Sequence, residues 1–362
     1  MNVSESQTSW RAHRAALEAR GFHAPEVVGY ATDEMKRDYR LAMDAMPTLS
    51  TTASGSLPAL FTSYVDPDVV RIVFAPVEAA NIASEKKTAD WLADTAFFPV
   101  VESTGEVSSY DDFAQNGRAG INTNFPQRQS YHFQVMKEWG EREAERYGLA
   151  RLNYASEVDR AAAENLNRFL NYSYFFGMGG LQLYGLVNDP NLTASLTPTG
   201  KAYGGVRWIN SGVIVASANE IFLDIQSTFY QLVAQTAGLV KAKDKLVLAM
   251  SPGSAVALTA TNSFGVDVYK LLEQNFPNIR HETAVQYGAA NSTNPQGVAA
   301  GNMIHLFAET VDGKKTVYCS FTEKMRAHRL ETYTSSWKQK VTSGTWGAIW
   351  RYPLASTTMV GV

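Results

Sequence analysis

The sequence predicts an α+β fold, a mixed sheet flanked by helices, and three observations carry that prediction. Residues 246–287 place an apolar run (LVLAMS), a helical pattern (FGVDVYKLLEQNF) and a second β-forming run (IRHETAVQY) in strand–helix–strand order. Residues 156–191 read as one long helix running into a glycine-rich stop. Residues 1–60 and 88–138 hold too little apolar periodicity to belong to a core of their own.

Taken in order, SQTSWRAHRAALEAR (6–20) has the pattern of a short helix closed by Gly21. Residues 21–65 contain Pro25, Pro47, Pro58 and a polar run, and so long an irregular stretch makes sense only as an arm laid over something else. DVVRIVF (68–74) reads as a strand, and 76–87 as a short helix with proline in its first turn. TADWLADTAFFPVV (88–101) and QRQSYHFQVMKEW (127–139) both read as strands, the second alternating at Tyr131, Phe133 and Val135. Joined by the weakly hydrophobic 102–126, they predict a long hairpin that cannot bury itself. It either lies on another subunit or is a floppy surface loop.

GEREAERYGLARL (140–152) is helical in pattern and leads into the long helix, 156–176. Ser156 and Asp159 have the spacing of a capping pair. Val158, Ala162, Leu166, Phe169 and Phe176 fall near one face, and Leu170, Tyr172, Tyr174 and Phe175 make the end apolar all round. A helix of that kind enters a core, and its ~21 residues span roughly 30 Å. Gly177, Gly179 and Gly180 stop it, and Gly185, Asn188 and Pro190 turn the chain. These glycines are expected to include positions with positive φ, which makes the turn a hinge.

Residues 192–205 read as loop, and 218–240 as a second long helix with Ile221, Phe222, Ile225, Phe229, Leu232 and Val233 on one face. After the β-α-β unit, 288–301 is a loop tip. MIHLFAET (303–310) and KTVYCSF (315–321) predict a hairpin, and 328–356 two aromatic-rich strands.

Hydrophobic residues make up 45% of the chain and charged ones 19%, ordinary for a folded protein whose 362 residues fill one large or two medium domains. A net charge of −3 argues against a dedicated nucleic-acid binder. The single cysteine, Cys319, rules out an intrachain disulfide and any multi-cysteine metal site, and its strand-like setting predicts a buried small hydrophobe. The opening residues lack the apolar core of a signal peptide, and no apolar run approaches the roughly 18 residues of a membrane span.

The chemistry sought is missing. In FFGMGGLQ, Gln182 stands at the last glycine of a dinucleotide motif, and a helix, not a strand, precedes it. Around Gly200-Lys201 of TPTGKAYGG (197–205), Ala202 stands where a phosphate loop needs Ser or Thr, and Ser195, just before the stretch, where it needs the first Gly. The six histidines are scattered without metal-ligand spacing, and Asp111-Asp112 reads as a solvated turn. No catalytic residue, metal or cofactor is expected. An enzyme built from residues far apart in sequence is the remaining rival.

The order of parts resembles the major capsid proteins of tailed bacteriophages with the Hong Kong 97-type fold, in the subgroup nearest encapsulin shells. RAAAENLNRFLNYSYFFGMGGLQLYGLVNDPN (160–191) looks like the family's spine helix and its "G-L-x-N-x-P" turn. LVLAMSPGSAVALTATNSFGVDVYKLLEQNFPNIR (246–280) looks like its axial domain, and WRYPLA (350–355) like its close. The resemblance implies an amino-terminal arm at 1–60, an extended loop at 88–138 and an axial domain at 241–321. The rest (61–87, 139–217, 218–240 and 322–362) would be a peripheral domain. It also implies pentamers and hexamers of an icosahedral virion shell around double-stranded DNA, made in the host cytoplasm, with portal, scaffolding and decoration proteins as further partners. An encapsulin-like nanocompartment is the alternative. Contacts to DNA would be weak and local, with Arg11, Arg14, Arg20, Arg142, Arg146 and Arg151 as candidates and solvated faces or intersubunit ion pairs as the equal alternative. Some relatives weld subunits through a lysine near the loop's tip, but no lysine lies between Thr88 and Met136. An unwelded shell is expected.

Overall fold

A computed structural model gives the structure of residues 77–113, 115–149, 154–292 and 294–362. The helix expected at 6–20, the strand at 68–74, and Arg11, Arg14, Arg20 and Arg151 lie outside these described residues.

Two four-stranded mixed sheets organise the chain. Helix α1 (Ala79–Ala83) leads to β1 (Glu85–Lys87), the short β2 (Thr95–Phe97), the paired β3 (Val100–Glu106) and β4 (Arg118–Asn124), then β5 (Gln127–Gln129) and β6 (Tyr131–Gly140). Helices α2 (Glu141–Leu149) and α3 (Tyr154–Phe176) follow, then a two-residue pair, β7 (Ile209–Asn210) and β8 (Val213–Ile214), and α4 (Ala218–Gln235). The remainder is β9 (Leu246–Met250), α5 (Pro252–Val256), α6 (Val268–Asn275), β10 (Ile279–Thr283), β11 (Met303–Ala308), the pair β12 (Thr310–Val311) and β13 (Lys314–Lys315), β14 (Val317–Thr332), β15 (Ser336–Trp350) and β16 (Ser356–Val360). The first sheet runs β1-β14-β15-β6 and the second β10-β9-β11-β16, each with one parallel pair at its edge.

The second sheet explains why LVLAM is apolar throughout. Leu246, Leu248 and Met250 point to a core shared with α4 and α6, whereas Val247 and Ala249 point to a core shared with α1 and the end of α3. A strand covered on both faces loses the alternation of a half-exposed one. Cys319 lies in the second of these cores with its thiol pushed up by burial, as expected of a small hydrophobe.

Residues 102–126, read as a connector, themselves hold most of the paired β3 and β4, and the helix read over 218–240 ends at Gln235. Four further expectations need correction. Of the helix read over 76–87, the described residues 77–87 are helical only at Ala79–Ala83; Ser84, at φ +56°, breaks the helix and Glu85–Lys87 joins β14 as a parallel edge strand. Residues 127–139 do not pair along their length with 88–101. Gln127–Gln129 pairs with Thr95–Phe97, but β6 is taken by β15 in register over ten residues, Ser336↔Gly140 to Thr345↔Tyr131. The 303–321 hairpin exists only as β12–β13, because β11 and β14 enter different sheets. The strand over 279–287 ends at Thr283, before a 3-10 turn. In each case a partner strand distant in sequence settled the outcome.

Among the buried polar groups, His305 sits at 0% exposure between Tyr287, whose hydroxyl is 3.1 Å from Nδ1, and Ser356, whose hydroxyl is 2.7 Å from Nε2. Burial pushes its pKa down to about 3. The unfolded chain therefore takes up a proton near pH 6.5 that the folded chain refuses until about 3. Stability from this site is complete above pH 6.5 and falls on acidification, by up to about 1.4 kcal/mol per pH unit. Denaturant midpoints at pH 7 and 4.5 should differ more for the native chain than for His305→Asn; equal slopes would assign the acid sensitivity elsewhere.

Candidate functional site

The site that organises the molecule lies at the end of α3, where the spine helix, the root of the long loop and the first sheet meet. Helix α3 is 23 residues long, about 35 Å. It begins at Tyr154, so Ser156 and Asp159 sit inside it and do not form the expected cap; the Asp159 carboxylate instead accepts from Lys137 Nζ at 2.5 Å, tying the helix to β6. The far end is buried at Leu170, Asn171, Ser173, Tyr174 and Phe175, most of the burial its composition predicted, while Tyr172 on that end is half-buried, as are Val158, Phe169 and Phe176.

A buried helix end must satisfy its last carbonyls. Here the returning chain does so. Gly177 N–H donates to Ser173 O (2.8 Å), Leu186 N–H to Tyr174 O (2.8 Å), Val187 N–H to Phe175 O (3.2 Å), and Asn188 Nδ2 to Phe176 O (2.5 Å). Asn188 Oδ1 meanwhile accepts from Gly185 N–H at 2.7 Å, so one side chain clips both ends of the turn.

The glycines differ in what they do. Gly177 has φ +62° and Gly180 φ +83°, as expected of the turn. Gly179 and Gly185 do not have positive φ. Gly185 is required by proximity: a β-carbon there would lie 2.1 Å from Phe175 O, inside the hydrogen-bonded return. Pro190 is exposed at the turn's edge.

Sequence reasoning missed the residues that fasten this turn to its surroundings. Asp189, fully buried in its side chain, accepts from Arg128 Nη2 at 2.6 Å, and that guanidinium lies 4.6 Å from the Tyr184 ring centroid. The bidirectional pairing of Gln129 with Gln182 (3.3 Å and 3.2 Å) adds a second bond to the loop's root. At the other side of the root, Trp346 Nε1 donates to Thr88 O (2.8 Å). Gly347, at φ +70°, lets β15 approach the turn so closely that a β-carbon would meet Tyr184 O at 2.2 Å. No local motif announces Arg128–Asp189; the two are 61 positions apart.

Beyond that root the chain is uncovered. All seven residues of β3 and all seven of β4 are exposed. At the tip, Asp111 accepts from Phe113 N–H and Asp112 from the Tyr110 hydroxyl, so the carboxylate pair serves a turn. Arg142 and Arg146 lie exposed on α2.

A separate buried lock holds the loop before α4. Asp224, at 0% exposure, accepts from Lys201 Nζ (2.5 Å), Trp208 Nε1 (2.7 Å), Thr199 N–H (3.2 Å) and Thr199 Oγ1 (2.8 Å). This occupies the lysine of the phosphate-loop lookalike, whose amine is buried in an ion pair. Among the described residues no cluster of three or more His, Cys, Asp or Glu side chains could hold a metal, and no helix is long and apolar enough to cross a membrane.

A family model described as Pa193 gp26 major capsid protein matches residues 48–361. The chain belongs to the Pa193 gp26 major capsid protein family. It is thus a phage major capsid protein, a component of the virion's capsid. No curated protein matches the sequence. Solved structures share the fold of this family member at low identity. The capsid of Myoviridae phage XM1 is 14% identical with a TM-score of 0.65, over 85% of this chain and 100% of that one. The capsid of the native GTA particle is 12% identical (TM-score 0.55, 86% and 99% covered), and the Mycobacterium phage Ogopogo structure 11% identical (0.53, 87% and 100%). The helix-and-sheet fold of this major capsid protein is therefore the capsid type that the sequence resembles, and the encapsulin alternative finds no support in these matches.

Proposed function

We propose that this major capsid protein assembles as pentamers and hexamers of an icosahedral shell enclosing double-stranded DNA, acting as structure and not as a catalyst. The observation that carries the reading is the β3–β4 hairpin, held firmly at its root yet exposed along both strands. A two-stranded hairpin is marginal in water by itself, and a shell of repeated copies supplies a neighbour at a fixed place to cover it. In this reading residues 1–60 are the arm, 88–138 the extended loop, 241–321 the axial domain and the rest peripheral. Strand β16, assigned to the periphery, is the edge strand of the second sheet, and helix α4 packs against that sheet. Gly177, Gly179, Gly180, Gly185, Asn188 and Pro190 form the hinge between spine and periphery. The chain is made in the host cytoplasm, and portal, scaffolding and decoration proteins are the further partners this reading admits.

Contacts to the genome are weak, given a net charge of −3; Arg142 and Arg146 on α2 are candidates within the described residues, with Arg11, Arg14, Arg20 and Arg151 outside them. Expression of the chain with its phage's packaging components, followed by negative-stain imaging and nuclease digestion, tests the whole reading. Closed shells holding nuclease-resistant DNA are expected; a soluble monomer with no particles would overturn it.

The shell is held without covalent welding. No lysine lies between Thr88 and Met136, and Lys137 at the loop's base is buried in its ion pair with Asp159. Arginines on the loop stay protonated and cannot replace an amine nucleophile. Boiled mature particles should run on a denaturing gel as one band near 39.8 kDa. A ladder of covalent oligomers would show that another lysine welds the subunits.

A further inference from the structure

The register of the β3–β4 hairpin divides it into two chemically different faces. Directly opposed residues of an antiparallel pair share a face, and successive residues alternate. The pairs Val101↔Thr123, Ser103↔Ile121 and Gly105↔Ala119 make one face; Val100↔Asn124 at the base, Glu102↔Asn122, Thr104↔Gly120 and Glu106↔Arg118 belong to the other. The first face has no charge, two branched apolar side chains and otherwise small residues. The second carries every charge of the two strands.

We infer that the hairpin docks on a second copy of this chain through the face of Val101, Ser103, Gly105, Ala119, Ile121 and Thr123, leaving Glu102, Glu106 and Arg118 in water. The inference rests on the shell reading above and adds which side of the loop is the interface. The chain's own body does not cover it: Val101 is 59% and Ile121 68% exposed in the folded subunit. The core of a protein interface is depleted of charge. Docking the opposite face would take two carboxylates out of water with one guanidinium to pair them, a desolvation that attraction does not reliably offset. Docking the uncharged face removes apolar surface from water, and Gly105 and Ala119 let the neighbour come close to the backbone. The tip extends the same logic, since Val107, Tyr110 and Phe113 are 90% exposed or more, and a surface so apolar marks a contact. Because the hairpin and the surface it covers are different parts of the chain, the contact is head-to-tail, the kind that closes rings.

A paired lysine scan tests the assignment. Ile121→Lys and Asn122→Lys place the same new charge on adjacent residues of one strand, facing opposite ways; Val101→Lys and Glu102→Lys repeat the comparison on the other strand. None of the four residues touches a core, so melting of the soluble subunits should stay cooperative in all variants. Particle yield by sedimentation should fall about tenfold or more for Ile121→Lys and Val101→Lys, where an unpaired ammonium would be buried. It should stay within about twofold for Asn122→Lys and Glu102→Lys, where the ammonium remains in water. Equal effects within each pair, or the reverse order, would overturn the face assignment while particles from the unaltered chain keep the shell reading intact. Absence of particles from the unaltered chain would overturn both.

Discussion

Gly185→Val is expected to abolish shell formation and to leave soluble, partly folded protein. A β-carbon at 185 would sit 2.1 Å from Phe175 O and 2.5 Å from Phe176 N. Those are backbone atoms at the end of α3, and Phe175 O is already engaged with Val187 N–H. Relief requires the return strand 185–188 to lift off, which strips the last helix carbonyls of their partners and carries Asn188 with them. Overpacking of this kind costs about 3 kcal/mol or more, and the orphaned carbonyls add about 1–3 kcal/mol each if they stay dry. Displaced, the turn also pulls Asp189 away from Arg128, so the loop loses its anchor as the helix loses its cap. The neighbouring glycines grade the effect. Gly179→Ala meets open space without a positive φ and should be within about 0.5 kcal/mol of neutral. Gly180→Ala, at φ +83°, should cost about 1 kcal/mol. Normal particle yield from Gly185→Val would sink the account of the turn as a required close approach.

Asp224→Ala is expected to destabilise the subunit by about 3–5 kcal/mol, the cost of leaving one member of a buried pair without the other. Lys201 and Asp224 side chains are both fully buried, so neither can turn to water. Trp208 Nε1 and the two donors of Thr199 lose their acceptor in the same step. Lys201→Met with Asp224→Leu removes both charges and should recover part of the loss, because the desolvation of the pair is removed with it. The difference between single and double variants, read from denaturant midpoints, isolates the stranded charge. A loss below about 1 kcal/mol for Asp224→Ala would mean that water reaches Lys201, and that the pair is not the lock of the 192–205 loop.

Periodicity made the helices legible. Helix α4 was readable from its apolar stripe, and its expected start at Ala218 holds, fixed by the capping box of Ser217 with Glu220, whereas its end falls at Gln235 and not at 240. The spine helix was legible from its length and from a composition that turns apolar all round at one end. Its start lies at Tyr154, two residues before the one expected, and Asp159, read as part of the cap, is engaged by Lys137 from β6, a partner no local pattern reveals. The two positive-φ glycines of the turn were legible as a cluster, whereas Gly185 looks the same in sequence and owes its identity to a carbonyl ten residues earlier.

What the sequence determined by itself was therefore local: where the helices run, that 102–126 cannot bury itself, and that LVLAM is a strand. The order of those parts was enough to suggest a capsid protein, because segment lengths and turn residues are written along the chain. What only the tertiary structure decided was pairing. Strand β6 joins β15, β11 and β14 part into separate sheets, and Arg128 finds Asp189. A strand's apolar run says that it will be covered but not by what, since every β-edge offers the same hydrogen bonds. The choice among edges is settled by which side chains then share a core, and that is a property of the whole chain at once.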